Sequence, residues 1–318
     1  MTTPVQIAPV AKTHAPLGFG CWTFGPDQWT GKEDANLLAA METALAHGIS
    51  HFDTAADYGN GHSERLVGQF IRGRREAVFL ATKANTDDLT ASAMLRHVSK
   101  SLERLQTYFI DLFYIHWPRK GKDLRPWMEG LEIARSKGLI GAIGVSNFTV
   151  EQMEQVAEVG TINAHQLCYN LFWRYAEQDV IPYCREHNIA VVTYSSIAHG
   201  ILAGKFQREL NFQPGDGRED ILLFQDGVWS HVYEAVEQLK ALANEIGVSL
   251  TKLAIRWVLA QPGITSSLVG ARNAAQARQN AEALNGDIPA SVFERMSAIS
   301  DQVIQHIPNT GNVYLYYP

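Results

Sequence analysis

His51-Phe52-Asp53-Thr54-Ala55-Ala56-Asp57-Tyr58-Gly59 begins as a short strand-like run and breaks within a few residues into polar groups and a glycine. The same pattern recurs along the chain. Short apolar or β-branched runs stand at residues 17–23, 50–54, 78–83, 110–116, 140–145, 164–169, 190–195 and 265–270, eight in all. Their near-continuous apolarity suits parallel strands covered on the outside by helices. Leu37, Leu38, Met41 and Leu45 stripe one helical face, and Gly48 can end that helix in the left-handed conformation. Leu95, Val98, Leu102 and Leu105 stripe a second helix. Thr149 with Gln152 reads as a capping box opening a third, which Gly160 is expected to end. Val232, Val236, Leu239, Leu242 and Ile246 mark another, followed by a helix over residues 250–259. Eight strand–helix alternations predict a closed (β/α)8 TIM barrel, although a doubly wound sheet has the same alternation.

No composition break divides the 318 residues, so residues 1–318 are read as one barrel domain. Residues 199–227, after the seventh run, are Gly-bearing and weakly periodic, and are expected to form a long loop over the barrel mouth. The tail, residues 304–318, carries Tyr314, Tyr316 and Tyr317 and either packs near that mouth or frays. Net charge is −6 and no Lys/Arg-rich run occurs, which argues against a nucleic-acid partner. No apolar stretch reaches membrane-span length, and residues 1–16 lack a signal-peptide core. Cys21, Cys168 and Cys184 form neither a disulfide framework nor a metal pattern. The expectation is a cytoplasmic protein with no metal.

In a barrel of this type the chemistry sits at the C-terminal ends of the strands. The second run delivers Asp53 and, five residues on, Tyr58; the third ends on Lys83; the fourth ends on His116 before Trp117. Taken singly, each has a bland reading: a turn carboxylate, a loop aromatic, a solvated lysine, a satisfied histidine. Together they make a chemical set. A carboxylate keeps a buried lysine cationic, and that cation favours ionisation of a neighbouring phenol. Such a phenol is a usable general acid, and a neutral histidine can donate a hydrogen bond to the same carbonyl oxygen.

The set, together with Ser63-Glu64 and Val67-Gly68 after the opening stretch, Ala-Thr-Lys at 81–83 and Tyr-Ile-His-Trp at 114–117, resembles the aldo-keto reductase superfamily over almost the whole chain. The resemblance implies Asp53, Tyr58, Lys83 and His116 as the catalytic residues. It also implies NADPH (NADP+) as cofactor. Trp22, Ser146, Asn147 and Gln166 would lie at the nicotinamide, with Tyr194 stacked on its ring. Ser195, Ile197, Gly200 and Lys205 would lie at the pyrophosphate, where glycines let backbone N–H groups approach phosphate. After the eighth run, Gly270, Arg272, Gln276, Gln279 and Asn280 would hold the adenosine end, Arg272 facing the 2′-phosphate at a helix N-terminus. Many members have a second basic residue where Gln276 stands; those similar to channel β subunits often have Gln there.

The reading that follows is reduction of aldehydes or ketones, a small-molecule carbonyl substrate, and a monomer or weak homo-oligomer. A cofactor-binding regulatory subunit with slow turnover is the alternative, and a Schiff-base lyase using Lys83 is a third. Trp22, Trp29, Trp117, Phe148 and Trp173 are the expected walls of an aromatic substrate pocket, with Arg119 and Arg174 near the same mouth as competing anion binders.

Overall fold

The computed structural model describes residues 3–25 and 33–315. Its strands are β1 (Val5–Gln6), β2 (Thr13–His14), β3 (Leu17–Gly20), β4 (His51–Asp53), β5 (Phe79–Ala84), β6 (Ile110–Ile115), β7 (Ile140–Ser146), β8 (Ala164–Cys168), β9 (Ala190–Tyr194) and β10 (Ile264–Val269). The last eight close in the order β10-β3-β4-β5-β6-β7-β8-β9, every neighbouring pair parallel. This is the (β/α)8 barrel, and the doubly wound alternative falls because β10 pairs with both β9 and β3. Each apolar run of the sequence overlaps one barrel strand.

The helices are α1 (Asp34–Ala46), α2 (His62–Ile71), α3 (Ala91–Leu105), α4 (Arg125–Ser136), α5 (Val150–Ala157), α6 (Val180–Glu186), α7 (Trp229–Glu245), α8 (Leu250–Ala260), α9 (Ala274–Glu282) and α10 (Ala290–Ile304). Their apolar faces lie on the barrel: Leu37 and Met41 on α1, Val98 and Leu102 on α3, and Val232, Val236 and Leu239 on α7 are buried. Thr149 and Gln152 form the expected capping box, each side chain accepting from the other's backbone N–H. Gly48 takes φ +85 just past α1. Gly160 does not end α5, which stops at Ala157. It is instead a packing glycine, since a Cβ there would fall 2.5 Å from Met128 Cγ on α4.

The N-terminal hairpin has no counterpart in the sequence reading. β1 and β2 pair antiparallel, Val5 opposite His14. Ile7, in the turn between them, is fully buried among Phe79, Leu112, Tyr114, Val192 and Leu268 in the barrel interior. The hairpin therefore plugs the bottom. At the other end, residues 199–227 form the expected long loop, with short 3-10 turns at Gly217–Asp220 and Leu222–Phe224. The C-terminal tail packs on it. Leu222 N–H donates to Val313 O at 2.9 Å and Leu315 N–H to Asp220 O at 3.1 Å. Tyr316 and Tyr317 lie outside the described residues.

Candidate active site

Asp53 is the last residue of β4, Lys83 lies near the end of β5, and His116 directly follows β6. All three are buried, Lys83 to 1% exposure. Lys83 Nζ donates to Asp53 Oδ1 at 2.5 Å and to Thr54 O at 2.8 Å, and lies 3.5 Å from the Tyr58 hydroxyl. Asp53 Oδ2 accepts from Gln166 Nε2 at 2.9 Å, so both carboxylate oxygens are satisfied. The ion pair is thus excluded from water and fixed from two strands. The Tyr58 and His116 rings meet edge to face, with centroids 5.7 Å apart. Burial pushes His116 below the usual histidine pKa; the nearby Asp57 carboxylate opposes that push and the Lys83 charge adds to it.

Tyr58, Asp53 and His116 stand at one end of a cavity of about 400 Å3. Ser146, Asn147, Gln166 and Tyr194 line its floor, at the ends of β7, β8 and β9. Asn147 takes φ +62, an unusual conformation for a non-glycine residue, and is pinned there. Its N–H donates to Gln166 O at 3.0 Å, its Nδ2 to His116 O at 3.2 Å, and its Oδ1 accepts from Tyr194 O–H at 2.7 Å. Ser195 and His199 are also left-handed, at φ +55 each. Such outliers concentrate where structure is held for a purpose other than stability.

The cavity runs on past Ser195, Ile197, Gly200 and Lys205 to the first turn of α9. There Asn273 caps the helix, Oδ1 accepting from Gln276 N–H at 3.0 Å. Gln276 Oε1 accepts the Arg272 N–H at 2.9 Å, and Asn280 Nδ2 donates to Gly270 O at 3.1 Å. Arg272, Gln276, Gln279 and Asn280 all line this end, and Arg272 is exposed. An elongated groove with amide donors and acceptors at one end, a turn containing Gly200 and Gly204 midway, and a guanidinium at a helix N-terminus fits a nicotinamide dinucleotide. Trp22 lines it too.

The aldo/keto reductase family profile matches residues 16–301. The chain belongs to the aldo/keto reductase family. It is 37% identical over 271 residues to the aldo-keto reductase YhdN of Bacillus subtilis (strain 168), 82% of each chain being covered. It is 29% identical to the NADH-specific methylglyoxal reductase of Escherichia coli (strain K12), over 90% of this chain and 95% of that one. Among solved structures, glycerol dehydrogenase AKR11B4 from Gluconobacter oxydans superimposes with TM-score 0.85 at 31% identity, covering 96% of each chain. The aldo/keto reductase from Klebsiella pneumoniae in complex with NADP and acetate gives 0.77 at 25% identity, covering 99% of each. This aldo/keto reductase is an oxidoreductase, and its family supports a nicotinamide cofactor. No helix among the described residues is long and apolar enough to cross a membrane.

The structure corrects the expected aromatic pocket. Phe148 does not line the cavity; it is 2% exposed, and its backbone is hydrogen-bonded to His165 Nε2 behind β7 and β8. Trp173 is also absent from the lining, packed edge-on against Tyr175 at 5.0 Å. Trp29 lies outside the described residues. Arg119 is paired with Asp87, and Arg174 with Glu177 and Asp301, and neither lines the cavity. Trp22 and Trp117 do line it, and Tyr314 and His199 join them. The Tyr314 ring lies 6.1 Å from Trp22, 6.0 Å from Trp117, 5.5 Å from His199 and 6.4 Å from Tyr194.

Sequence reasoning missed His199 and Arg218 outright and left Tyr314 undecided. Arg218 lines the cavity, stacks over Phe206 and Phe212, and is ion-paired with Asp216. Burial raises the Asp216 carboxyl, but hydrogen bonds from Arg218 and the charge of Arg272 outweigh it and leave the group below its usual range. The Arg272 end of the groove and the loop above it therefore share one field. His199 is held at about 3, by burial first and Arg218 second, so it is neutral near pH 7. The one local signal for it was His-Gly at 199–200, where Gly200 takes φ +94.

Proposed function

We propose that this protein reduces aldehydes or ketones to alcohols with hydride from NADPH, Tyr58 supplying the proton. The observation that carries the reading is the Lys83 ammonium, buried against Asp53 and 3.5 Å from the Tyr58 hydroxyl at the cavity wall. NADPH supplies the hydride when bound. Tyr58 gives its proton to the carbonyl oxygen, and Lys83 stabilises the phenolate left behind. Asp53 keeps Lys83 cationic and, through Gln166, orients an amide toward the nicotinamide carboxamide. His116 holds the carbonyl oxygen beside Tyr58. Asp53 also disfavours the lyase reading, since a lysine held protonated is a poor nucleophile.

NADPH is preferred to NADH because Arg272 stands exposed at the N-terminus of α9, where a 2′-phosphate meets both the guanidinium and the helix end. The Klebsiella pneumoniae structure holds NADP and supports this; the NADH-specific relative shows that the discrimination can be lost within this similarity range. The substrate is an uncharged aldehyde. Trp22, Trp117, Tyr314 and neutral His199 surround the space beside Tyr58, and Arg119 and Arg174 are committed to carboxylates elsewhere. Tyr58→Phe is expected to keep NADPH binding and lower turnover by roughly 10²–10⁴-fold. Near-normal turnover of a good aldehyde by that variant rejects Tyr58 as the acid. NADPH binding by the wild type without turnover across a panel of carbonyl compounds rejects the reductase reading in favour of a regulatory one.

A further inference from the structure

Glu64 stands in the first turn of α2 and is fully buried. Its Oε1 accepts from Thr82 Oγ1 on β5 at 2.7 Å, and its Oε2 accepts from Arg104 Nε in the last turn of α3. One carboxylate therefore joins α2, α3 and β5 behind the barrel wall. Its partners matter by position. Thr82 directly precedes Lys83 on β5, and strand alternation turns Lys83 inward and Thr82 outward. Glu64 follows Tyr58 in the chain, and the stretch between them is a braced turn. Tyr58 N–H donates to Ala55 O at 3.3 Å, and Ser63 N–H to Tyr58 O at 3.2 Å. Ser63 Oγ is bonded to Thr54 Oγ1 at 2.7 Å and donates to Cys21 O at 3.2 Å. Arg104 lies across the same turn, since a Cβ on Gly61 would fall 2.5 Å from Arg104 Cδ.

We propose that Glu64 is a positioning residue that sets the separation between Tyr58 and Lys83, by bonding the helix that follows the phenol to the residue beside the ammonium. The inference rests on the reading of Tyr58 as proton donor and deepens it. Lys83 is held to β4 by Asp53 and Thr54 O, and Tyr58 stands in the turn between β4 and α2. The Glu64–Thr82 bond closes the third side, α2 to β5, so the turn cannot swing away from Lys83. A group that only filled this space would be apolar, because replacing a buried ion pair by well-packed apolar residues is often neutral or stabilising. A buried carboxylate instead fixes direction. It needs donors in place at both oxygens, and Thr82 and Arg104 supply them.

Lys83 faces the Tyr58 phenol at 3.5 Å, His116 meets its ring edge-on, and Asp53 stands behind Lys83. Asp57, on the same turn as Tyr58, lies nearest His116. The ammonium favours the phenolate, and more so the closer it stands. At an effective dielectric of about 20, each added ångström between them moves the Tyr58 titration to a pH roughly 0.8 higher.

The test sets Thr82→Val, which keeps the strand and the Glu64–Arg104 pair but removes the hydroxyl, beside Thr82→Ser, which keeps the hydroxyl. Protein labelled with 13C at the tyrosine Cζ reports each phenol, the Tyr58 signal being assigned by its loss in Tyr58→Phe. Thr82→Val is expected to move the Tyr58 titration and the alkaline limb of the reduction kcat to higher pH. It should also lower that kcat by roughly 10-fold, with the KM for NADPH unchanged. Thr82→Ser is expected to match wild type in each. A Tyr58 titration unmoved in Thr82→Val overturns the proposal even if urea unfolding finds that variant less stable, since a clamp that only stabilises gives that result. Equal shifts in both variants overturn it too, because the hydroxyl would then carry nothing. The titration is read without turnover, so the expected shift in a protein that reduces no carbonyl would reject the function and not the positioning.

Discussion

Arg272 condenses the cofactor question into one side chain. It is exposed one residue before Asn273, the N-cap of α9, and Gln276, where a second cation would stand, spends its Oε1 on the Arg272 backbone N–H. On the proposed reading, one guanidinium carries most of the discrimination between NADPH and NADH. A hydrogen bond between charged groups contributes about 1.5–3 kcal/mol, or roughly 10–150-fold in affinity. Arg272→Ala is expected to weaken NADPH by about that factor and leave NADH nearly unchanged, as measured by fluorescence titration. An equal loss for both cofactors would mean that Arg272 does not read the 2′-phosphate. Residue types at strand ends were legible here because their chemistry is local: Asp53, Lys83 and His116 each follow directly from the apolar run that precedes them. The backbone of Asn147, at φ +62, was not, since three hydrogen bonds from distant residues hold it.

Between elements, the least legible contact is the one between the tail and the loop after β9. Tyr314 bridges to Ile221, and the flanking backbone bonds tie residues 313–315 to residues 220–222. Arg218 lies two residues before that ladder, so the tail braces the stretch that carries a cavity-lining cation. Two variants separate the ring from the brace. Tyr314→Ala removes an aromatic wall with four ring neighbours and should raise the KM of an aromatic aldehyde. At about 0.5–1.5 kcal/mol for one aromatic contact with the substrate, a rise of roughly 2–10-fold is expected. Deleting residues 311–318 removes the backbone pairing as well, and should in addition make residues 206–224 the first site of limited proteolysis. A deletion variant cut no faster there than Tyr314→Ala would show that the loop holds itself. Nothing in the local sequence predicts this pairing, because a single antiparallel bridge between irregular segments has no periodicity to betray it.

For the molecule as a whole, buried neutral histidines set the acid limit of stability. Burial holds His165 at about 4 and His199 at about 3, and it also lowers His14 and His51 at the bottom of the barrel. An unfolded histidine titrates near 6.5. The folded values lie below this, so as pH falls through about 6.5 the unfolded chain takes up protons that the folded chain refuses. Stability is therefore full above that value and declines as pH falls toward 4. Between pH 7 and pH 5 His165 and His199 together cost roughly 4 kcal/mol. Urea unfolding at both pH values should show a lower midpoint at pH 5, and His165→Asn should reduce the difference. Equal midpoints would contradict the burial argument.

The pairing of β10 with both β9 and β3 decided closure into a barrel; the sequence by itself determined the eight strands, their helical cover and the residues that each strand end delivers. Those features are written in local periodicity, since a run of β-branched residues followed by a helical stripe specifies a strand and its cover without reference to the rest of the chain. Tertiary structure alone decided which aromatics face the cavity. Phe148 and Trp173 stand just past strands and still point away, while Tyr314 arrives from nearly 200 residues beyond Trp117. It also decided that a hairpin plugs the barrel and that Glu64 reaches Thr82. The reason is the same in each case. The direction of a loop side chain is set by what the loop packs against, and those partners lie far away in sequence.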